Sequence, residues 1–357
     1  MSKIIYWRGN EDLPHKYLKL RLTFFDTTHY LHSILGDDKK DHTTTALLKL
    51  AGQTLVLRNI TILNTLYDID TIRIPDKFPK VTNLTEANFP SIDIEVFNND
   101  DYAFSMNSKT SCNSSTGVRG DSLNSSNSDN IENTIIISRG TEKNNSIQLP
   151  LNSVLWCSKE KDTGLYASLI VYPWNFLNIL QNFLYEELRQ ARVSPRASIA
   201  KSSIIEGPCV IEDDVIVDDY CKIIGPSYIG KGSFIGMNSL VRKCTIGEKT
   251  KIGFNCELAT SCFIGNDKIS HKNVILDSII GENVWFGGYA ATTNVLHDRK
   301  NIKYKIDDVL VDTGTDHFGS VVGNNCAVGA SVIILPGTQI LPASIVQAGT
   351  AIGKDQQ

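Results

Sequence analysis

The sequence predicts a two-part fold: a mixed α/β region in the first half and a left-handed parallel β-helix in the second. Three observations carry this. From Val193 onward an aliphatic residue returns at nearly every sixth position, and glycine repeatedly follows it, as at Gly230, Gly236, Gly247 and Gly253. A segment opened by Pro173 has helical spacing and stands between the two halves. Before it, strand-like runs alternate with helix-like ones.

A period of six fits neither an amphipathic helix nor an alternating strand. It fits a triangular coil in which each hexad makes one flat wall, with the aliphatic residue inward and a small residue at the corner. The first run is Val193, Ile199, Ile205, Ile211, Val217, Ile223, Ile229, Ile235 and Val241. The phase slips by one residue and resumes at Ile246, Ile252, Leu258 and Ile264. A break over 265–273 is expected to be an external loop, after which Val274, Ile280 and Phe286 continue the pattern. Residues 292–316 are too many for a coil corner, and loops of that length usually carry a function. Val322, Val328, Ile334, Ile340, Val346 and Ile352 close the series. With about eighteen residues per coil, about six or seven coils are expected.

The elements of the first half follow in order. Lys3–Trp7 reads as a first strand. Ala46 to Pro75 contains a turn at Gly52, helical spacing from Leu55 to Leu66 and a strand over Thr71–Ile74, which is half of a doubly wound sheet. Residues 98–133 are rich in Asn, Ser and Asp and bury too little to offset their ordering entropy, so a disordered insertion is expected. Thr134–Ser138 and Val154–Cys157 read as further strands. Pro173 suits a first helical position, and Leu177, Leu180, Leu184 and Leu188 line one face. The domain plan is therefore 1–170, a linker helix over 171–192 that covers the mouth of the β-helix, and the β-helix over 193–357.

Composition narrows the partners. The net charge of the 357 residues is -4, which argues against a nucleic-acid-binding surface. The longest apolar runs fall short of a membrane span. The N-terminus lacks an apolar signal core, so a cytoplasmic location is expected. The eight cysteines form no C-x-x-C pair and read as small buried hydrophobes in a reducing compartment.

Two segments carry a resemblance. ALLKLAGQTLVLRNI, from Ala46, looks like the stretch after the phosphate-binding loop of sugar-1-phosphate nucleotidyltransferases. VYPWNFLNILQNFL, from Val171, resembles the linker helix before the hexapeptide repeats in archaeal two-domain members. The chain thus resembles the bifunctional sugar-1-phosphate nucleotidyltransferase/amino-sugar N-acetyltransferase family. The resemblance implies a nucleotidyltransferase-like, degenerate Rossmann-type N-terminal domain and an acyltransferase-like β-helix. The first domain departs from the family. Gly9 stands alone where a Gly-rich phosphate loop is expected, and Thr45 occupies the place of the catalytic Lys. No Gly-Asp metal motif follows, so Mg²⁺ is implied only if that domain is active.

For the second domain the resemblance implies a site. His271, in KISHKNVILD, falls on the catalytic base, and Asp277 on the Asp that follows. Arg242 matches a phosphate-holding Arg, Glu257 a pocket Glu and Asn294 an Asn on the amino sugar. Lys300 and Lys303 match lysines of a long loop that crosses to a neighbouring subunit. Val274 replaces the family's Tyr, and Ala259 a phosphate-binding Lys, which puts glucosamine-1-phosphate in doubt as acceptor. Acetyl-CoA as acyl donor would lie along Gly319, Ser320, Gly329, Ala330 and Ser331, where small residues let a chain approach the backbone.

The expected chemistry is acetyl transfer from acetyl-CoA to an amino sugar or sugar phosphate. An imidazole titrates near neutrality and suits the base; His297 is the fallback. No protein-bound metal is needed, and a homotrimer would cover the flat walls. Two alternatives stand beside it. One is a working nucleotidyltransferase whose β-helix only assembles the oligomer. The other is a non-catalytic subunit that binds a nucleotide sugar.

Overall fold

The computed structural model describes residues 19–25, 49–50, 53–54, 59–60, 68–75, 79–97, 137–138, 146–150, 153–157, 165–169, 172–187, 191–306 and 308–353. The readings at Lys3–Trp7 and 98–133 lie outside them. The chain separates into two compact units, residues 1–28 with 56–169, and residues 29–55 with 170–357. The second therefore includes a short piece of what the sequence assigns to the first domain.

The first unit holds a five-stranded sheet in the order Asp93–Phe97, Asp68–Pro75, Lys19–Phe25, Ser146–Pro150, Ile137–Ser138. All neighbours pair parallel except the last two. A helix, Pro79–Asn88, connects two of the parallel strands. Lys19–Phe25 is the central strand, in the segment where a phosphate loop was sought.

The second unit is a left-handed parallel β-helix with three walls, each a parallel sheet of eight strands. Wall 1 begins at Arg192–Val193, wall 2 at Ser198–Ile199 and wall 3 at Ile204–Glu206. The inward column of each wall is aliphatic. Ile211, Ile229, Ile246, Val217, Ile235, Ile223 and Val241 form one continuous core.

Eight coils are present where six or seven were expected, because the segment read as a break is not one. Val193 faces Ile211, eighteen residues on. Ile229 faces Ile246, Ile246 faces Phe263 and Phe263 faces Ile280, each seventeen residues on. The residue is lost at one corner only, the step from wall 3 to wall 1, as from Val241 to Ile246 and from Leu258 to Phe263. The inward residues are therefore Phe263, Ile269 and Ile275, not Ile264 and Val274. Lys268–Ile269 is a strand of wall 2, so 265–273 is no external loop. Adjacent apolar pairs, Phe263-Ile264 and Val274-Ile275, hid the true phase.

The corners hide a second regularity. A small polar side chain faces inward and accepts a hydrogen bond from a backbone N–H of the next coil. Ser233 does this for Thr250, Ser239 for Cys256, Asn273 for Ala290 and Ser278 for Ser320. Buried corner N–H groups would otherwise be left unpaired, which is costly. Asp267 fills the same role for Val284 at 2.8 Å. It is fully buried, its other oxygen has no hydrogen-bond partner among the described residues, and burial pushes its carboxyl well above the usual range. The six cysteines of the β-helix are free and buried, and burial raises their thiols, to about 11 at Cys209 and about 12 at Cys244.

The linker helix runs from Pro173 to Glu187 and buries Trp174, Phe176, Leu177, Leu180 and Leu184. It does not cap the mouth. Trp174 packs edge-on against Tyr304 at 5.7 Å and Phe318 at 6.2 Å, beside the sixth coil, while the helix's other end feeds the first coil at Arg192. The outward residues of wall 1, Val210, Tyr228, Cys262, Ile279 and Val321, are buried. Walls 2 and 3 keep exposed apolar side chains, among them Ile204, Ile216, Val274, Trp285 and Ile345.

The long segment expected over 292–316 leaves at the same wall 3 to wall 1 corner. It carries an antiparallel hairpin, Lys303–Ile306 with Val309–Asp312. Buried Ile302, Tyr304 and Phe318 anchor it to its own chain.

Candidate functional site

His271 sits at the corner between walls 2 and 3, directly after the strand Lys268–Ile269. Its backbone carbonyl accepts from Tyr289 N–H in the next coil, so the main chain is held. Its ring is exposed. Neither ring nitrogen has a hydrogen-bond partner among the described residues, and no carboxylate orients the imidazole. Aromatic packing does so instead. The ring stacks on Phe254 at 5.0 Å with an 18° interplanar angle, and Tyr289 meets it edge-on at 6.4 Å. Lys272 donates to the Tyr289 hydroxyl at 3.2 Å. One coil above His271 lies Gly288, where a Cβ would come within 3.2 Å of His271 Cδ2 and Nε2.

These neighbours follow from the seventeen-residue coil, which places Phe254, His271 and Gly288 in one column. The same column continues through Ala330 and Ala348. The edge above the imidazole is therefore stepped by small residues, with exposed Ala330 and Ser331 one coil beyond Gly288. Gly329, Ala330 and Ser331 thus share the edge with His271. Gly319 and Ser320 do not. A Cβ at Gly319 would lie 2.1 Å from the Leu276 carbonyl oxygen, and Ser320 is fully buried. Those two residues are packed into the wall 3 to wall 1 corner and line no groove.

Wall 3 presents the remaining group. Its outward columns are Leu240, Glu257, Val274 and Ala291, and Arg242, Ala259 and Leu276. Arg242 reaches diagonally across coils to Glu257, Nη2 to Oε1, at 2.6 Å. At the far edge of wall 3, Asp277 accepts from the Asn294 amide. Burial raises the Asp277 carboxyl, and the Asn294 amide, His317 and the Thr260 hydroxyl oppose that shift. The structure thus gathers Arg242 with Glu257, and Asn294 with Asp277. A strand of three residues, about 10 Å long, separates His271 from Asp277.

Lys300 pairs with Asp298 at 2.9 Å, and Lys303 opens the hairpin. His297 is exposed on the same excursion. The sequence reading missed Phe254, Gly288 and Tyr289, and also the pair His317 Nδ1 with Asp316 Oδ1 at 2.8 Å. The seventeen-residue spacing would have found Phe254 and Gly288, and Tyr289 follows Gly288 directly. Among the described residues no group of three or more His, Cys, Asp or Glu is placed to hold a metal ion. No described helix is long and apolar enough to cross a membrane. In a polar groove of about 430 Å³ between walls 1 and 2, lined by residues that include Lys249, Asn266, Glu282, Asn283 and Asn325, Asn266 donates to the Glu282 carboxylate and Asn283 to the Asn325 amide oxygen.

Residues 208–243 match the bacterial transferase hexapeptide (six repeats). Over 99 residues the chain is 31% identical to the bifunctional sugar-1-phosphate nucleotidylyltransferase/acetyltransferase of Sulfurisphaera tokodaii, covering 28% of this chain and 25% of that one. Over 191 residues it is 27% identical to the bifunctional protein GlmU of Methanococcus aeolicus, covering 53% of this chain and 45% of the relative. The chain therefore spans less than half the length of these curated relatives. Among solved structures, LpxA from Acinetobacter baumannii overlaps 44% of this chain and 67% of its own, at 16% identity and a TM-score of 0.29.

Proposed function

We propose that the second unit transfers an acetyl group from acetyl-CoA to an amino sugar or sugar phosphate, with His271 as general base. The observation that carries this is the corner column. An imidazole with no hydrogen-bond partner at either nitrogen among the described residues stands at the foot of an edge stepped by Gly288, Ala330 and Ser331. Small residues there admit the pantetheine arm close to the backbone. The likeness to a relative named as a bifunctional sugar-1-phosphate nucleotidylyltransferase/acetyltransferase supports the reading.

The step balances simply. The acceptor's amine attacks the thioester carbonyl, the C–S bond breaks, and the acetyl group passes to nitrogen. The amine proton moves to the His271 imidazole and from there to the departing thiolate. Phe254 and Tyr289 set the ring plane, a role that a hydrogen-bonded carboxylate fills in other bases. Glu257, Arg242 and Asn294 would hold the acceptor over wall 3, and Lys300 and Lys303 would act across a homotrimer's grooves. Trimer formation would also cover the exposed apolar residues of walls 2 and 3. Nucleotidyl transfer by the first unit is the second reading, and the curated names of the relatives favour keeping it. Release of CoA thiol with an amino-sugar panel tests the first reading; release of pyrophosphate from a nucleoside triphosphate and a sugar-1-phosphate tests the second. A chain that releases neither but binds a nucleotide sugar would be a binding subunit.

A further inference from the structure

We propose that the Tyr289 hydroxyl, held by the Lys272 ammonium, donates a hydrogen bond to the oxyanion that forms when the acceptor attacks the thioester. Tyr289 is then a second catalytic residue, and Lys272 is the residue that positions it. This deepens the acetyl-transfer reading and rests on it.

Beside the column that holds His271 runs a second one. The residues that follow Met237, Phe254, His271, Gly288 and Ala330 all take a left-handed backbone conformation: Asn238 at φ 62°, Asn255 at 58°, Lys272 at 59°, Tyr289 at 62° and Ser331 at 56°. Asn suits such a position because its short amide bonds locally, whereas a bulky aromatic is strained there. The β-helix uses Asn in this way at two corners. Asn238 donates to Asn255 at 2.7 Å, and at the corner between walls 1 and 2 Asn283 donates to Asn325 at 2.9 Å. Each pair joins the same corner position in successive coils. The amide ladder of the His271 corner stops at His271. Lys272 and Tyr289 take its place, and Lys272 Nζ donates to the Tyr289 hydroxyl at 3.2 Å. Packing does not call for the exchange, since both side chains are exposed, Tyr289 by 56%.

The pair stands where charge would develop. Tyr289 meets the imidazole edge-on at 6.4 Å. Gly288, directly before it, leaves open the space beside His271 Nε2, where a Cβ would come within 3.2 Å. A thioester carbonyl reacting in that space has the imidazole on one side and the phenol on the other. The amine lone pair forms the C–N bond while the carbonyl π pair moves onto oxygen. Tyr289 O–H donates to that oxyanion and keeps its proton. As the C=O bond re-forms, the C–S bond breaks, and the thiolate takes the proton from His271. The ammonium occupies a lone pair of the phenol oxygen, which turns the phenol's own hydrogen outward and polarises it. Other donors are few. The N–H groups of Tyr289 and Ser331 are taken by the carbonyls of His271 and Gly288, and Val274 offers no hydroxyl. The Gly288 N–H, without a partner among the described residues, is the competing donor.

Steady-state kinetics of CoA thiol release by the full chain test this, with the best acceptor of an amino-sugar panel. Tyr289→Phe keeps the ring edge against His271 and removes only the hydroxyl. It should lower kcat by about 10²–10³ and leave KM for acetyl-CoA within about twofold, because the lost bond forms only in the transition state. Tyr289→Asn returns an amide to the corner, so turnover should fall at least as far while the melting midpoint holds or rises. Lys272→Gln should lower kcat by about tenfold, and Lys272→Arg should recover part of that loss. In the Tyr289→Phe background Lys272→Gln should cost nothing further, because the ammonium acts through the phenol. Wild-type kcat in Tyr289→Phe overturns the proposal in favour of the Gly288 N–H. A raised KM with kcat unchanged makes Tyr289 a binding residue and overturns it too. Equal losses from Lys272→Gln in both backgrounds sink the positioning role. A wild-type chain that releases no CoA thiol with any acceptor sinks the transfer reading as well.

Discussion

Replacing Gly288 by alanine should slow acetyl transfer without unfolding the protein. A Cβ at Gly288 would lie 3.2 Å from both Cδ2 and Nε2 of His271, a few tenths of an ångström too close. The ring cannot retreat toward Phe254, which already stacks on it at 5.0 Å. It must rotate away from the column that aligns it with the small-residue edge. A catalytic group displaced by 1 Å can cost about a hundredfold, so a displacement of about 0.5 Å should cost about tenfold, or about 1.4 kcal/mol of barrier. Gly288→Val, with two more methyl groups, should approach the loss seen on removing the base. The assay is kcat/KM for acetyl-CoA with the best acceptor of an amino-sugar panel, beside a thermal unfolding curve. Gly288 is on a half-buried corner with φ outside the left-handed region and its Cβ would meet only the His271 side chain and carbonyl, so the unfolding midpoint should barely move. Wild-type kcat/KM in Gly288→Ala, with the midpoint unchanged, would refute the idea that this edge is the site.

Further outcomes follow from other contacts. His271→Asn should lower acetyl transfer by roughly 10²–10⁴ with the fold intact, whereas His297→Asn should not; the reverse pattern moves the base to the excursion. Asp267→Asn should stabilise the protein at neutral pH and leave it nearly unchanged at acid pH. The folded carboxyl is held above its unfolded value, so its contribution is full below the ordinary carboxylate range and falls as pH rises toward the folded value. Asn273 shows that an amide serves the same corner, bonding Ala290 N–H at 3.0 Å. Each kcal/mol relieved should raise the melting midpoint by about 2–4 °C, and an unchanged midpoint at neutral pH would contradict the buried acid. Phe263→Ala should cost about 3–5 kcal/mol in denaturant unfolding, since Phe263 is inward and fully buried; Ile264→Ala should cost far less. Light scattering at micromolar concentration should return a trimer mass.

The walls were legible because a hexad leaves only one inward position per wall, and long runs such as Ile211 to Val241 admit a single phase. Legibility failed where one corner drops a residue and two apolar residues stand side by side. At Phe263-Ile264 both candidates are apolar, and only the pairing of Phe263 with Ile246 and Ile280 decides between them. That single ambiguity turned a strand into a loop and placed His271 on it. The His271 motif itself was readable, but its support was not. Phe254, seventeen residues before it, and Gly288, seventeen after, become neighbours only once the coil length is known. The Arg242–Glu257 pair spans fifteen residues across two coils, so its residues were legible but not their mutual neutralisation. The helix was placed at the wrong surface because its contacts, Tyr304 and Phe318, lie far downstream.

The corner between walls 3 and 1 drops a residue in three successive coils and, one coil later, releases the whole excursion, while the ladders on either side keep their register. Chain length at that vertex is thus uncoupled from the lattice of the prism. Elongation of the polypeptide there changes neither the rise per turn nor the stacking of the core. For a protein engineer the vertices at Lys243 and Thr260 are therefore graft points, where a foreign peptide can be displayed at a chosen height along a rigid rod.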